Sequence, residues 1–269
     1  MRETVFQDDD SLRGMPSTVT VRFYAELNDF LAAEKRYRAC ECTTSSGQTV
    51  KDLIESRGIP HTEVDLIVVN GESVGFEHRL HDGDRVAVYP VFESVDISSA
   101  LHLRPSPLRS TRFIADANLG QLARYLRLCG FDTVYRRDID DEELVAISVG
   151  EARVLVTRDV GVLKRSSVTH GYYVRSSDPR TQLLEVVRRF DLAGSVRPFM
   201  RCMNCNGELA GVDKTEVLDE LEPDTRRFYD EFMRCLQCGR VYWKGSHFDK
   251  LQALADEALG AGPPRAPDQ

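Results

Sequence analysis

Four cysteines stand in two pairs, Cys202-Met203-Asn204-Cys205 and Cys235-Leu236-Gln237-Cys238, with 29 residues between the pairs. A CxxC turn offers two thiolates to one ion, and two such turns complete the tetrahedral shell of a structural Zn²⁺. Four thiolates leave no open position, so the expected role is structural. A redox role has less behind it, because neither pair opens a thioredoxin-like βαβ unit. A second chemistry is carried by carboxylates. Asp116, Asp140, Asp141 and Asp159 lie in one stretch with no matching cluster of histidines. Hard oxygen donors of this kind suit Mg²⁺ or Mn²⁺ held partly through water, the usual partners of phosphate chemistry.

Strands and helices decide whether those acids meet. From Arg112 to Asp191, short apolar runs alternate with helical stretches. Phe113-Ile114-Ala115, Thr133-Val134-Tyr135, Val154-Leu155-Val156 and Tyr172-Tyr173-Val174 read as strands. Leu119, Leu122, Ala123 and Leu126 form one face of a helix that stops at Gly130, and further helices are expected over 141–149 and 179–190. Such alternation implies a parallel sheet covered on both faces, with its site at the carboxyl ends of the strands. Asp116 follows the first strand and Asp159 the third. Asp140, Asp141, Glu142 and Glu143 head the intervening helix, whose start belongs near the same rim in a right-handed crossover.

Each acid also has a simpler explanation. Asp at a strand-to-helix junction is a favoured N-cap, which would account for Asp116 or Asp140 alone. Glu142 and Glu143 suit the positive end of a helix dipole. Capping does not explain why two separate junctions on one rim both carry Asp. The rim is also basic: Arg112, Arg124, Arg127, Arg136, Arg137, Arg158, Lys164 and Arg165 surround it in sequence, as a polyanion site would require.

Composition sets the outer bounds. At 269 residues, 42% hydrophobic and 29% charged, the chain supports packed cores in about two domains. Its net charge is -8, but the charge is uneven. Residues 1–103 hold 10 basic and 18 acidic side chains, residues 104–200 hold 16 and 12, and residues 201–269 hold 9 and 13. Only the middle third can attract nucleic acid by its charge. Neither a signal peptide nor a membrane-length apolar run is read, and seven cysteines do not resemble a secreted disulfide framework, so a cytoplasmic protein is expected.

Ahead of the rim lies another module. Val19, Val21 and Phe23 alternate as in a half-buried strand. Thr49 and Asp52 make a capping-box pattern before the stripe Val50, Leu53 and Ile54, and Gly58 ends that helix. Leu66–Val69, the Asn70-Gly71 hairpin signal and Arg85–Tyr89 complete a small α+β unit. The segments VTVRFYAELNDFL, VNGESV and LHDGDRVAVYPVF resemble the β-grasp sulphur carriers of molybdopterin and thiamine biosynthesis. Those carriers end in a free Gly-Gly, whereas here the chain continues through Pro90-Val91-Phe92-Glu93. The module is therefore read as a docking or stabilising unit with a protein partner. The expected plan is a disordered tail (1–17), a β-grasp domain (18–93), a linker (94–111), an α/β domain (112–198), a zinc ribbon with a terminal helix (199–259) and a disordered tail (260–269).

The stretches FIADANLGQLARYLRLCGFDTVYRRDIDDEELVAI, LVTRD and YYVRSSDPRTQLLEVVRRF resemble the PIN-fold ribonuclease domain named after the C-terminal part of the Mut-seven exonuclease, over residues 112 to about 250. RPF, RCMNC and GRVYWKGSH resemble the zinc ribbon appended to that family, and a preceding β-grasp unit matches one of its bacterial architectures. The resemblance implies RNA hydrolysis at one or two divalent ions, with Asp116 and Asp159 as ligands, Asp141 at the head of the DEEL helix, Asp140 beside it, and Asn118 orienting Asp116 or a water. Substrate contacts are expected from Arg124, Arg127 and Arg158 of the basic rim, and from Lys244 and His247 of the ribbon, facing the nuclease pocket. Trp243 is read as ribbon core rather than as a platform for a base. The chain lacks a clear counterpart of the Glu that many PIN nucleases place on a separate helix. A non-catalytic RNA-binding or ribosome-associated module with structural acids is the competing reading. A phosphatase or receiver-like domain is disfavoured, because no DxDx(T/V) run occurs in the α/β stretch 112–198.

Overall fold

The computed structural model describes residues 17–45, 47–90 and 111–261, in two compact units divided after Ser106. The expected linker, 94–111, lies almost wholly outside the described residues, as do 1–16 and 262–269 of the expected tails.

The first unit is a five-stranded sheet. Its elements are β1 (Ser17–Phe23), β2 (Cys40–Thr44), α1 (Val50–Ser56), β3 (Val64–Val69), β4 (Glu72–Val74) and β5 (Arg85–Pro90), in the sheet order β2-β1-β5-β3-β4. β1 and β5 run parallel at the centre, and the other pairs are antiparallel. This is the mixed β-grasp arrangement anticipated above. The Thr49 hydroxyl accepts from the Asp52 backbone N–H at 3.2 Å while Asp52 accepts from that of Thr49 at 3.1 Å, so the capping box forms as read. Val50, Leu53 and Ile54 then bury against Val19, Val21, Ile67 and Val88. β2 had no apolar alternation to announce it. It forms because Cys42 and Thr44 turn inward while Glu41 and Thr43 face water. Ser17, placed in the tail by its composition, already pairs with Thr44.

The second unit holds the parallel sheet. β6 (Phe113–Ala115), α2 (Gly120–Leu128), β7 (Thr133–Tyr135), α3 (Asp141–Gly150), β8 (Val154–Thr157), α4 (Val160–Leu163), β9 (Gly171–Tyr173) and α5 (Pro179–Arg189) give the strand order β7-β6-β8-β9, every pair parallel. Period-2 alternation splits each strand between two cores, as expected of a sheet covered on both faces. Phe113, Ala115, Val154 and Val156 pack with Leu122, Leu126, Leu183 and Val186 of α2 and α5. Ile114 and Leu155 pack with Leu144, Val145, Val162 and Leu163 of α3 and α4.

Three antiparallel strands follow, β10 (Leu209–Val212), β11 (Phe232–Cys235) and β12 (Val241–Trp243), with α6 (Lys214–Val217) and α7 (Pro223–Phe228) between the first two. The last helix, α8 (Phe248–Leu259), returns to the α/β core, where Leu254, Ala258 and Ala261 are buried beside Val186 and Val187. Ala261, expected in the tail, therefore belongs to the packed structure.

Gly130 ends α2 at φ +92° and lies against the carbonyl of Arg197, which would stand 2.3 Å from any Cβ placed there. A Gly130→Ala variant is expected to lose more than about 1 kcal/mol of stability, read as a lower urea midpoint at unchanged slope.

Candidate active site and metal centre

The chain passes from β6 outward to β7 and then across β6 to β8, so the strand order reverses between β6 and β8. A crevice opens at the carboxyl ends of strands flanking such a reversal. Asp116 leaves β6 there, and Thr157 and Asp159 leave β8. The pairing of Ala115 with Val156 sets these residues side by side.

Thr157 joins the two acids. Its side-chain hydroxyl, fully buried, donates to Asp116 Oδ2 at 2.5 Å and accepts from the Asp159 backbone N–H at 2.9 Å. Asn118 Nδ2 reaches the same Oδ2 at 3.4 Å, a weak contact. Asp116 occupies an N-cap position but makes no side-chain cap bond, so capping does not account for its carboxylate. Its loop is tightly held. The Tyr135 hydroxyl donates to the Ala117 carbonyl at 3.0 Å, and a Cβ at Gly120 would meet that hydroxyl at 2.5 Å. A side chain at this position would have to displace the tyrosine ring from that bond.

The other acids are more heavily committed. Asp159 caps α4 through Gly161 N–H at 2.6 Å, and Asp140 caps α3 through Glu143 N–H at 2.8 Å. Asp141 pairs with Arg165 at 3.2 Å, and Glu143 with Arg136. Asp116, Asp141 and Asp159 do not bring three oxygens within 4.8 Å of one another. Convergence at the rim is thus partial, because α3 spends its leading acids on its own backbone and on arginines.

The basic residues also divide. Arg124 and Arg158 are exposed, and Arg158 leans on the Ser176 carbonyl at 2.7 Å. Arg127, expected at the substrate, is 3% exposed and is corrected to a structural role. Its guanidinium donates to the carbonyls of Thr133 (2.9 Å), Asn204 (2.8 Å) and Met203 (3.3 Å), clamping the first cysteine turn onto the start of β7. Lys244 and His247 are corrected too. They line a cavity of about 980 Å³ beside β11, β12 and α8 whose walls include none of the rim acids, and Lys244 pairs with Glu231 at 2.7 Å. Trp243, read as core, is 40% exposed on that cavity, because three short strands do not enclose an indole.

The cysteine turns do converge. Cys202 and Cys238 sulfurs lie 3.7 Å apart, and Cys205 and Cys235 sulfurs 3.4 Å apart. A tetrahedron with Zn–S bonds of about 2.3 Å has edges of about 3.8 Å, so the four sulfurs fit zinc with little adjustment. Burial alone would raise the Cys202 thiol, but hydrogen bonds from the Tyr242 hydroxyl and from the N–H groups of Cys205 and Asn204 bring it down to about 6. Asn206, at φ +74°, completes the first turn. It donates to Asp132 Oδ1 at 2.7 Å and accepts from Thr133 N–H at 3.0 Å. Asp132 in turn receives Arg153 through both carboxylate oxygens, at 2.8 and 3.3 Å.

The second unit is thus a parallel α/β sheet with Asp116 and Asp159 at its strand-order reversal and a four-cysteine cluster clamped beside it. The model of the Mut7-C RNAse domain matches residues 111–255, more than half of the chain, and the model of the Mut7-C ubiquitin domain matches residues 16–96. The chain belongs to the Mut7-C RNAse domain family. Among solved structures, it is similar to H. volcanii small archaeal modifier protein 1, at 16% identity over 28% of this chain and 99% of that one, with a TM-score of 0.24. It is also similar to SAMP1 from Haloferax volcanii, at 17% identity over 29% and 100%, with a TM-score of 0.23. No curated protein matches. Among the described residues no helix is long and apolar enough to cross a membrane.

Two outcomes follow from the cysteine turn and its clamp. Cys202→Ser and Cys235→Ser variants are expected to lose the zinc that the wild type keeps through gel filtration, and limited proteolysis should then cut within 201–245 first. Burial would raise the Asp132 carboxyl, but bonds from Arg153 and Asn206 and the charges of Arg153 and Arg201 hold it below its ordinary value. A lowered folded-state value gives stability that is complete above about pH 4 and lost as pH falls through that lowered value. Urea midpoints of Asp132→Asn should accordingly fall less steeply with acid over this range than those of the wild type.

Proposed function

We propose that this chain is a metal-dependent ribonuclease that hydrolyses RNA phosphodiester bonds at the β6–β8 crevice. The observation that supports this most strongly is the pair Asp116 and Asp159, tied through one buried hydroxyl at the switch point of a Mut7-C RNAse domain. Asp116 and Asp159 supply hard oxygen donors for Mg²⁺ or Mn²⁺, which when bound would activate water and offset charge on the phosphate under attack. The residues of the chain do the positioning. Thr157 and Asn118 occupy Oδ2 of Asp116, and Gly161 N–H occupies Oδ1 of Asp159, so each carboxylate keeps one oxygen for the crevice. Arg124 and Arg158 provide exposed positive charge for the RNA backbone. Asp141 could join the donors by releasing Arg165, and Asp140 holds α3 in place.

The same reading assigns zinc a structural part at Cys202, Cys205, Cys235 and Cys238, a protein partner to the β-grasp unit, and a cytoplasmic home. A second reading, a non-catalytic RNA-binding or ribosome-associated module, is favoured by one specific fact, the commitment of Asp141 to Arg165.

Purified full-length protein incubated with mixed cellular RNA and Mn²⁺ separates the two. Cleavage should appear and should drop by about 100-fold or more in Asp116→Asn and Asp159→Asn, each keeping the wild-type thermal midpoint within a few degrees. RNA retention that weakens with salt but gives no cleavage at any Mn²⁺ level would favour the binding module instead.

A further inference from the structure

The β-grasp unit carries a cluster that neither the nuclease reading nor the zinc ribbon uses. His78-Arg79-Leu80-His81-Asp82-Gly83-Asp84 places two imidazoles and a carboxylate at every third residue of the loop between β4 and β5. Apart from the four cysteines, His78, His81 and Asp84 are the only group of three or more ligand-type side chains among the described residues whose ligating atoms all lie within 4.8 Å of one another.

The loop that carries them is fixed. The His78 carbonyl accepts from Val50 N–H at 2.9 Å, its own N–H donates to the Gly75 carbonyl at 3.1 Å, and Leu80 N–H donates to the Gln48 carbonyl at 3.0 Å. Leu80 is buried in the core of the unit, so the backbone between the histidines is anchored on the start of α1. Asp84 is buried as well. Its Oδ1 accepts from Asn70 Nδ2 at 2.8 Å and its Oδ2 from the His81 backbone N–H at 2.8 Å.

A plain turn explains those two bonds. It does not explain the imidazoles. His81 Nδ1 lies 3.9 Å from Asp84 Oδ2, and the rings of His78 and His81 meet edge-on with centroids 6.5 Å apart. A tetrahedral ion with bonds of about 2.0–2.1 Å needs donors about 3.3 Å apart. Rotation of the His81 side chain, 77% exposed, can close that gap without moving the backbone.

We propose that His78, His81 and Asp84 form a second zinc site, in the β-grasp unit, with water in the fourth position. Two imidazoles with one carboxylate select Zn²⁺ or a similar late transition ion over Mg²⁺, which distinguishes this site from the hard-cation crevice. Asn70 is its positioning residue. It donates to the carboxylate and accepts from Arg85 N–H at 2.9 Å, so it fixes which oxygen of Asp84 faces the histidines. The site depends on neither RNA nor catalysis.

The test uses the full chain loaded with micromolar Zn²⁺, buffer-exchanged and analysed for bound metal, with the histidine side-chain NMR signals followed during the titration. The wild type should retain one zinc more than either His81→Asn or the double variant His78→Asn/His81→Asn, and both imidazoles should shift together. Asn70→Gly, which suits the left-handed φ of +52°, should weaken that extra zinc by about tenfold or more while the cysteine site stays filled. Equal zinc content in wild type and His81→Asn, with unmoved imidazole signals, would overturn the proposal whatever the RNA assay shows.

Discussion

The hydroxyl of Thr157 stands between the carboxylate of Asp116 and the backbone of Asp159, and the geometry of the crevice depends on it. Neighbouring acids repel, and a charge near a sheet edge is costly unless hydrogen bonds satisfy it. A fully buried threonine at the last position of β8 meets the second need at Asp116, since its hydroxyl donates to that carboxylate while accepting from the amide of Asp159. The parallel pairing of β6 with β8 brings the three residues to the same level. The sheet, its two cores and the glycine that lets α2 start beneath Tyr135 can be understood as holding that contact in place.

The cysteine turns are joined to the sheet by polar ties as well as by Phe199 and Met203, which pack against its apolar core. The zinc ribbon's own apolar clusters are small, and the first cysteine turn is held by Arg127 and by the Asp132–Asn206 contact. Buried charge of this kind is retained only where every donor finds a partner. Arg127 places Nε on the Thr133 carbonyl and Nη1 on carbonyls 76 and 77 residues further along the chain. The first cysteine turn is thereby coupled to β7, the strand beside β6.

Much of this architecture was legible in the residues. The alternation at Val19, Val21 and Phe23, the Thr49–Asp52 box, the Asn70-Gly71 turn and the stripe Leu119, Leu122, Ala123 and Leu126 all led to the elements found, because each pattern is a local rule with a local cause. The two CxxC turns needed no long-range information. What stayed hidden was tertiary. Arg127 looks like any basic residue on a helix until its carbonyl acceptors are known. Thr157 ends a β-branched run and so passes for a strand former. Asp116 alone reads as an N-cap, yet it is Asp159 whose carboxylate caps a helix. β2 is a polar strand recruited by its neighbour, and Trp243 depends on whether a short sheet can cover it. The His78–Asp84 loop reads as a turn, because nothing in its spacing shows that two rings fold onto one carboxylate.

The central claim is that Asp116 and Asp159 share one hard cation. Anomalous scattering from crystals of the full chain soaked in Mn²⁺ tests it most directly. The account predicts a peak about 2.1 Å from an oxygen of each carboxylate, lost in Asp116→Asn. Well-ordered carboxylates with no peak between them, in crystals where Mn²⁺ binds elsewhere, would contradict it.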